Sequence, residues 1–443
     1  MDGTLAFLIV IVLFAVLLAL GMHIGTVLIV SGIVGAILID GFASLPGVVQ
    51  DSSFYSVATY SLTTIPLFIL MAQFIVRSNI IGLLYNFVFQ ISRQNGGMLG
   101  VFTMMLGGFL GALSGSPTAI SAALAQISLP QLRMHGYNKY FATATIAMAG
   151  SLSTIIPPSI ILIVYGTATM TSIGELFIAM VVPVILILVT VSIAVFVMYR
   201  ITYVKDDTTV GMMEVAPAEE ELGMEPNKKN YIISIGSLLI IIGTIFIGIF
   251  LGIFTPTEAG AIGAFLSLIM AALLKRVDVQ FLKDSLIGTI NISAMVMFII
   301  LGASIFGKFV TISLIPINVI NWISPLMDTP ILLMAILLVI YFFLFMIIEG
   351  TAVILMTVSI ALPIVTEAGF DPIVFGVLLT IVCAAGLLTP PVGLSVFSAA
   401  GVARIPSQKV FFYGTIYAFI IVLVTVPILL LFPELVTWLP DRM

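Results

Sequence analysis

Charge is what this sequence has least of. Only 8% of its 443 residues are Asp, Glu, Lys or Arg, whereas a water-soluble domain carries about a quarter. Cysteine and histidine are scarcer still: Cys383, His23 and His135 are the whole supply. One cysteine excludes a disulfide within the chain and any multi-cysteine metal site. Cys383 sits in an apolar stretch and reads as a small buried side chain. Both histidines fall beside expected helix ends and read as boundary residues. That inventory argues against metalloenzyme and thiol chemistry. No basic or aromatic-basic patch suggests nucleic acid as a partner. The net charge of −5 comes largely from one acidic segment.

What fills the chain instead is apolar. Hydrophobic residues make up 61% of it, with 37 glycines and 31 phenylalanines, and the mean hydropathy is +1.31. No soluble fold of this length could hide so much apolar surface, but a lipid bilayer accepts it, and Gly and Phe suit packed membrane helices. The first apolar run, residues 4–20, lacks a basic leader and reads as a retained spanning helix.

A crossing helix needs about 20 apolar residues. Ten segments meet that requirement: 4–20, 24–41, 56–77, 138–169, 173–200, 231–252, 257–275, 288–306, 371–402 and 409–432. Two of them, 138–169 and 371–402, are too long for one plain helix and contain a double proline. Two further stretches, 96–131 and 329–366, are interrupted by small and polar residues, around Ser114-Gly115-Ser116 and around Glu349-Gly350-Thr351. Polar tips of this kind favour re-entrant hairpins, because backbone at membrane depth must line a cavity or pack in protein. With the N-terminus outside, 13 of the 15 basic residues fall on one side, leaving Lys308 and Arg442 on the other. The positive-inside rule makes the first side cytoplasmic and both termini external. The acidic segment 201–229 then reads as a cytoplasmic linker.

The chain also repeats itself. A shift of 233 residues places Leu129-Pro130 on Leu362-Pro363, Gly136-Tyr137 on Gly369-Phe370 and Pro157-Pro158 on Pro390-Pro391. The same shift places Thr118-Ala119-Ile120 on Thr351-Ala352-Val353. The fold class expected is therefore an all-α integral membrane protein of two inverted repeats, 1–200 and 230–443. Each repeat has five transmembrane helices and one re-entrant hairpin. Five crossings are odd, so the second repeat is inserted upside down, a common plan of secondary transporters.

The interruptions carry the chemistry. A helix stops before a double proline, since proline removes a donor and clashes with the preceding turn. Freed carbonyls and tip hydroxyls then meet at the bilayer midplane, and hard cations such as sodium favour oxygen ligands. The sodium-facing set is Ser114, Ser116, Gly150, Ser153 and Pro157 in the first half, and Gly350, Thr351, Gly386, Thr389 and Pro390 in the second. Helix N-termini after each break can face an anion. The substrate-facing set is Ser116, Thr118, Ser159, Glu349, Thr351 and Gly393. Ser, Thr and Gly are also ordinary packing residues of membrane helices. Glu349 reads either as a functional intramembrane acid or as a cap on the helix starting at Gly350. Glu258, after Thr255-Pro256-Thr257, reads as a first-turn acid. No Lys or Arg falls at either site, so sodium ions would supply the positive charge an anionic substrate needs.

The stretch LSGSPTAISAALAQISLPQLRMHGYNKYFATATIAMAGSLSTIIPPSIILIVYG (113–166) closely resembles the large membrane subunit of TRAP (tripartite ATP-independent periplasmic) transporters. So do TPTEAGAIGAFLSL (255–268), MFIILGASIFGKF (297–309) and AGFDPIVFGVLLTIVCAAGLLTPPVGLSVFSAAGV (368–402). The resemblance covers essentially the whole chain. It implies a sodium-driven elevator-type importer of an organic acid, of the sialic acid or C4-dicarboxylate class, with sodium sites at the hairpin tips and facing breaks. It also implies two partners, a small four-helix membrane subunit on a separate chain and a periplasmic substrate-binding protein, and residence in a prokaryotic inner membrane. Two rival readings are a stand-alone organic-anion or cation exchanger of related design and a membrane-embedded hydrolase. The latter lacks a Ser-His, paired Asp or His-rich set away from span ends.

Overall fold

The computed structural model describes residues 3–49, 57–78, 80–92, 95–204 and 228–443. The expected acidic linker lies outside the described residues except at its two ends. Among the described residues every regular element is helical. Eight helices among the described residues are long and apolar enough to cross a membrane.

The first half opens with α1 (Gly3–Ala19) and α2 (Ile24–Asp40). His23 sits at the boundary as expected, its Nδ1 accepting from the Gly25 amide at 3.3 Å. Then come α3 (Thr64–Arg77), α4 (Ile80–Ser92), a hairpin of α5 (Gly96–Ser114) and α6 (Pro117–Met134), and a broken pair, α7 (Lys139–Ser151) and α8 (Ile160–Thr169). The half closes with α9 (Ile173–Ala179) and α10 (Val181–Thr202). The second half runs α11 (Lys228–Phe250), α12 (Pro256–Leu273), α13 (Val279–Ile312) and α14 (Ile315–Met327). Its hairpin is α15 (Pro330–Ile347) with α16 (Gly350–Glu367), and its broken pair is α17 (Pro372–Gly386) with α18 (Leu394–Ala403). The closing helix α19 (Ser407–Ile420) continues through a π-helical turn over Ile421–Thr425.

The 233-residue register persists in three dimensions. Shifted by 233, the bounds of α6 become those of α16, and the first residue of α7 becomes that of α17. The boundaries have local causes. Asp278 caps α13, accepting from the Phe281 amide at 2.6 Å, so this helix begins nine residues before the expected span. Thr255, Pro256 and Glu258 start α12 with a reciprocal capping box, which makes Glu258 the first-turn acid expected. The expected spans 138–169 and 371–402 are each two short helices around a break. Sequence reading missed α4 and α14. These 13-residue helices precede the two hairpins and are too short to cross.

Helices of opposite halves pair at close range. Gly25, Gly32 and Gly35 of α2 face Phe298, Phe306 and Phe309 of α13, and a Cβ at Gly32 would lie 2.8 Å from the Phe306 backbone nitrogen. The counterpart crossing joins α12 to α3. There Gly260 faces Leu67, Gly263 faces Met71, and the Thr64 and Thr257 hydroxyls share a buried 2.6 Å hydrogen bond. Outward faces of α1, α10, α11 and α15 leave large apolar side chains exposed, among them Val12, Ile193, Leu239 and Phe343. Surface of that extent belongs against lipid.

Candidate functional site

Each hairpin turns in two residues, Gly115-Ser116 in the first and Ile348-Glu349 in the second. Gly115 closes α5 with φ +63°, a conformation glycine adopts at little cost, and its amide donates to the Gly111 carbonyl at 2.8 Å. The next residue caps the returning helix. The Ala119 amide donates to Ser116 Oγ at 3.3 Å, and the Ser116 and Thr118 hydroxyls bond at 3.2 Å. In the second tip the Ala352 amide donates to Glu349 Oε2 at 3.1 Å, and the Thr351 hydroxyl donates to Oε1 at 2.9 Å. Glu349 therefore does cap α16, and its side chain remains exposed.

The breaks lie where the tips arrive. In the first, α7 gives way to a 3-10 turn over Leu152–Thr154, then Pro157-Pro158, before α8 starts. In the second, α17 ends at Gly386 and Pro390-Pro391 follows. Both proline–proline bonds are cis. A Cβ on Gly150 would lie 2.5 Å from the Pro117 carbonyl and against the Ser121 hydroxyl, and one on Gly111 would lie 3.0 Å from Ser153 Cα. In the second half, a Cβ on Gly350 would lie 2.5 Å from Cys383 Sγ, and one on Gly386 would lie 2.9 Å from the Phe345 carbonyl carbon. The Val392 amide donates to the Met346 carbonyl at 3.2 Å. Each tip is thus seated on the break of its own half. The halves are also interlocked here: Ser398 of α18 donates to the Thr118 carbonyl at 2.7 Å, and Ile161 of α8 reaches Gly350.

Not every expected site residue points its side chain into a shared space. Ser116 and Thr118 are half-buried at the first tip, and the Ser114 side chain lies outside the described residues. Gly150, Ser153 and Pro157 are buried in the first break. Ser159 is buried too, and its hydroxyl donates to the Thr154 carbonyl at 2.7 Å, tying the break to itself. Gly350 and Thr351 are buried at the second tip, whereas Pro390 is exposed. Thr389 donates to the Gly386 carbonyl at 2.9 Å. Gly393 starts α18 with φ +35°, with Phe411 and the Thr389 carbonyl occupying the space of a Cβ. Neither α8 nor α18 has a side-chain cap at its N-terminus. Cys383 is buried as expected.

One residue was missed. Ser121, three positions after Thr118 and so on the same face of α6, is fully buried with an unpartnered hydroxyl, as is the Ser153 hydroxyl. A buried polar atom without a partner is uncommon and calls for an occupant or an unpaired cost. With the Pro117 carbonyl beside Gly150, these are hard oxygen donors suited to a small cation. Among the described residues no group of three His, Cys, Asp or Glu could hold a transition metal.

A cavity of about 830 Å³ lies next to this body but apart from the expected ligands. Helices α3, α12 and α13 wall one side, through Thr64, Thr257 and Ser304 among others; α8 and α16 wall the other, through Thr167 and Ser359. Half of its lining residues carry hydroxyls and none is charged. It sits at the starts of α3 and α12, the ends opposite Arg77 and Lys275-Arg276.

Comparison with known proteins assigns this arrangement. The family model described as "Tripartite ATP-independent periplasmic transporter, DctM component" matches residues 11–435. The chain belongs to this family. This DctM-type chain is 30% identical to the 2,3-diketo-L-gulonate TRAP transporter large permease protein YiaN of Escherichia coli K12, over 95% of its own length and 99% of YiaN. It is 32% identical to the C4-dicarboxylate TRAP transporter large permease protein DctM of Pseudomonas aeruginosa, over 86% and 84% of the two chains. With the sialic acid TRAP transporter large permease protein SiaM of Vibrio cholerae it shares 27% identity, over 86% of each. Two solved transporters share the fold at 11% identity. They are MtrF of Neisseria gonorrhoeae, with TM-score 0.67 over 97% of this chain and 94% of that one, and YdaH of Alcanivorax borkumensis, with TM-score 0.64 over 89% of each. The DctM-type chain is therefore an all-α membrane permease subunit of two inverted repeats with elevator-type architecture.

Proposed function

We propose that this chain is the substrate-translocating large subunit of a sodium-coupled secondary importer of an organic acid. Its partners are a small four-helix membrane subunit and a periplasmic substrate-binding protein, and its site is a prokaryotic inner membrane. The observation that carries the reading is the seating of both hairpin tips on both helix breaks, which gathers carbonyl and hydroxyl oxygens without any Lys or Arg. An organic acid there meets helix N-termini and hydroxyls, and sodium ions, carried as co-substrate, supply the missing positive charge. Ser116, Thr118, Glu349 and Thr351 are the groups proposed to face the acid. The Pro117 carbonyl, Ser121 and Ser153 are proposed to face a sodium ion in the first half, with the backbone around Gly350 and Gly386 doing so in the second. The acid's class is supported by the diketogulonate, C4-dicarboxylate and sialic acid named for relatives.

The two repeats, 1–200 and 230–443, are proposed to be joined by a cytoplasmic linker over 201–229, with both termini periplasmic by the charge asymmetry. In that orientation the hydroxyl-lined cavity opens to the periplasm, where a delivered substrate would arrive. It lies between α3, α12 and α13 on one side and α8 and α16 on the other, so movement of one set against the other would change its volume. Uptake of a labelled organic acid into proteoliposomes tests the reading. Transport only when the chain is reconstituted with its small subunit and binding protein, with sodium outside, supports it. Uptake by this chain alone would favour a stand-alone exchanger.

A further inference from the structure

Two lysines from different helices converge on a single ring. Tyr140, in the first turn of α7, has the Lys139 ammonium 5.3 Å from its ring centroid and the Lys409 ammonium of α19 at 5.1 Å. The convergence follows from how the two helices pair. The Phe141 and Tyr413 rings lie 5.7 Å apart, and the Thr145 and Tyr417 hydroxyls bond at 2.9 Å. So α7 and α19 run side by side in the same direction, with their N-terminal ends together. Each end carries its lysine in the first turn, and neither first turn contains an acid. The partial positive charge of a helix N-terminus disfavours a cation there. Among the described residues neither ammonium has a carboxylate within ion-pair distance. The ring face offsets only part of this repulsion, because a cation–π contact near water is weak. The positive-inside rule accounts for lysines on this side of the membrane, but not for two of them meeting over one ring. Lys409 is exposed and Lys139 half-buried, so the pair is open to the surroundings. From Lys409 an apolar face continues along α19 at helical spacing, through Phe412, Phe419 and Leu423, which are 65%, 49% and 67% exposed. A small anion could use the lysines alone, whereas a phospholipid would use the lysines and this face together.

We infer that Lys139, Tyr140 and Lys409 form a binding site for the phosphate of an anionic phospholipid, with its acyl chains along the exposed face of α19. Basic pockets between membrane helices take anionic headgroups in this way. The site stands apart from the tips and breaks and does not depend on the sodium-coupled reading. Because α7 leads into the first break at its other end, a lipid held here sets the depth of that break relative to the bilayer surface.

The test uses the purified full-length chain in detergent micelles, titrated with dioleoyl-phosphatidylglycerol, with dioleoyl-phosphatidylcholine and sodium phosphate alone as separate arms. A ligand that binds the folded state raises Tm with a measurable half-saturation. The wild-type chain is expected to give a saturable rise with phosphatidylglycerol only. Changing both lysines, Lys139→Gln with Lys409→Gln, is expected to raise the half-saturating lipid fraction at least about tenfold. Either change alone is expected to raise it about fivefold, which covers the case in which the double variant fails to fold. Lys139→Arg with Lys409→Arg keeps the charges and the response. Lys275→Gln with Lys283→Gln removes the same charge from the same side of the membrane and is expected to leave the response unchanged. Equal shifts in the two glutamine double variants overturn the site, since the effect would then belong to the general field of that surface. A wild-type chain with no response to phosphatidylglycerol overturns it too. A rise with sodium phosphate equal to that with phosphatidylglycerol overturns the lipid as its occupant.

Discussion

The two hairpin–break junctions reach the same closeness by opposite means. In the first, glycines stand at 111 on the hairpin and 150 on α7, admitting Ser153 and the Pro117 carbonyl. In the second, the positions related by the 233-residue shift are Leu344 and Cys383, and the glycines are Gly386 in the break and Gly350 on the hairpin. The small residue has changed partner while the backbone approach is retained. Such a junction constrains the pair and not the individual residue, so side chains from one half should not be interchangeable with those of the other even though α6 and α16 share their bounds under the 233-residue shift.

Transplanting residues between junctions is the sharpest way to break this comparison. Gly150→Cys copies Cys383 into the first half and drives a side chain onto the Pro117 carbonyl, which is backbone and cannot rotate away. A loss of about 3 kcal/mol or more is expected, read as loss of a monodisperse peak in fluorescence-detected size-exclusion chromatography. Gly386→Ser copies Ser153 into the second half against the Phe345 carbonyl. It is expected to cost about 1–3 kcal/mol, seen as a lower midpoint in thermal unfolding of the detergent-solubilised chain. Thr64→Val removes one partner of the buried Thr64–Thr257 hydrogen bond that ties α3 to α12. A loss of about 1 kcal/mol is expected, with Thr64→Ser retaining most of the stability. Gly243→Ala on α11 provides the contrast, because nothing lies within 4 Å of its Cβ position. Removing glycine's helix penalty should raise stability by about 0.4–1 kcal/mol. A fall of that size instead would mean that α11 packs there against something this chain does not supply.

Much of this architecture was legible because its signals are strong and local. Apolar runs of spanning length, double prolines and polar interruptions marked the helices, breaks and tips, and the constant shift from Leu129-Pro130 to Leu362-Pro363 marked the repeat. The residues hidden from sequence depend on tertiary contact. Ser121 looked like one more small residue in a small-residue helix, and its unpartnered burial beside Gly150 shows only after α6 meets α7. Ser159 read as a ligand from its place after the prolines, yet it turns its hydroxyl back to Thr154. Gly393 read the same way and is held by its backbone conformation. The cavity is assembled from five segments far apart in the chain, so no window of sequence contains it.

Accumulation against a gradient is the most direct test of sodium coupling through the tips and breaks. Proteoliposomes holding the complete three-component system would be loaded with unlabelled organic acid at the outside concentration, and an inward sodium gradient then imposed. The account predicts that labelled acid rises inside above its external concentration and that a sodium ionophore abolishes the rise. Equal accumulation with choline in place of sodium would contradict it.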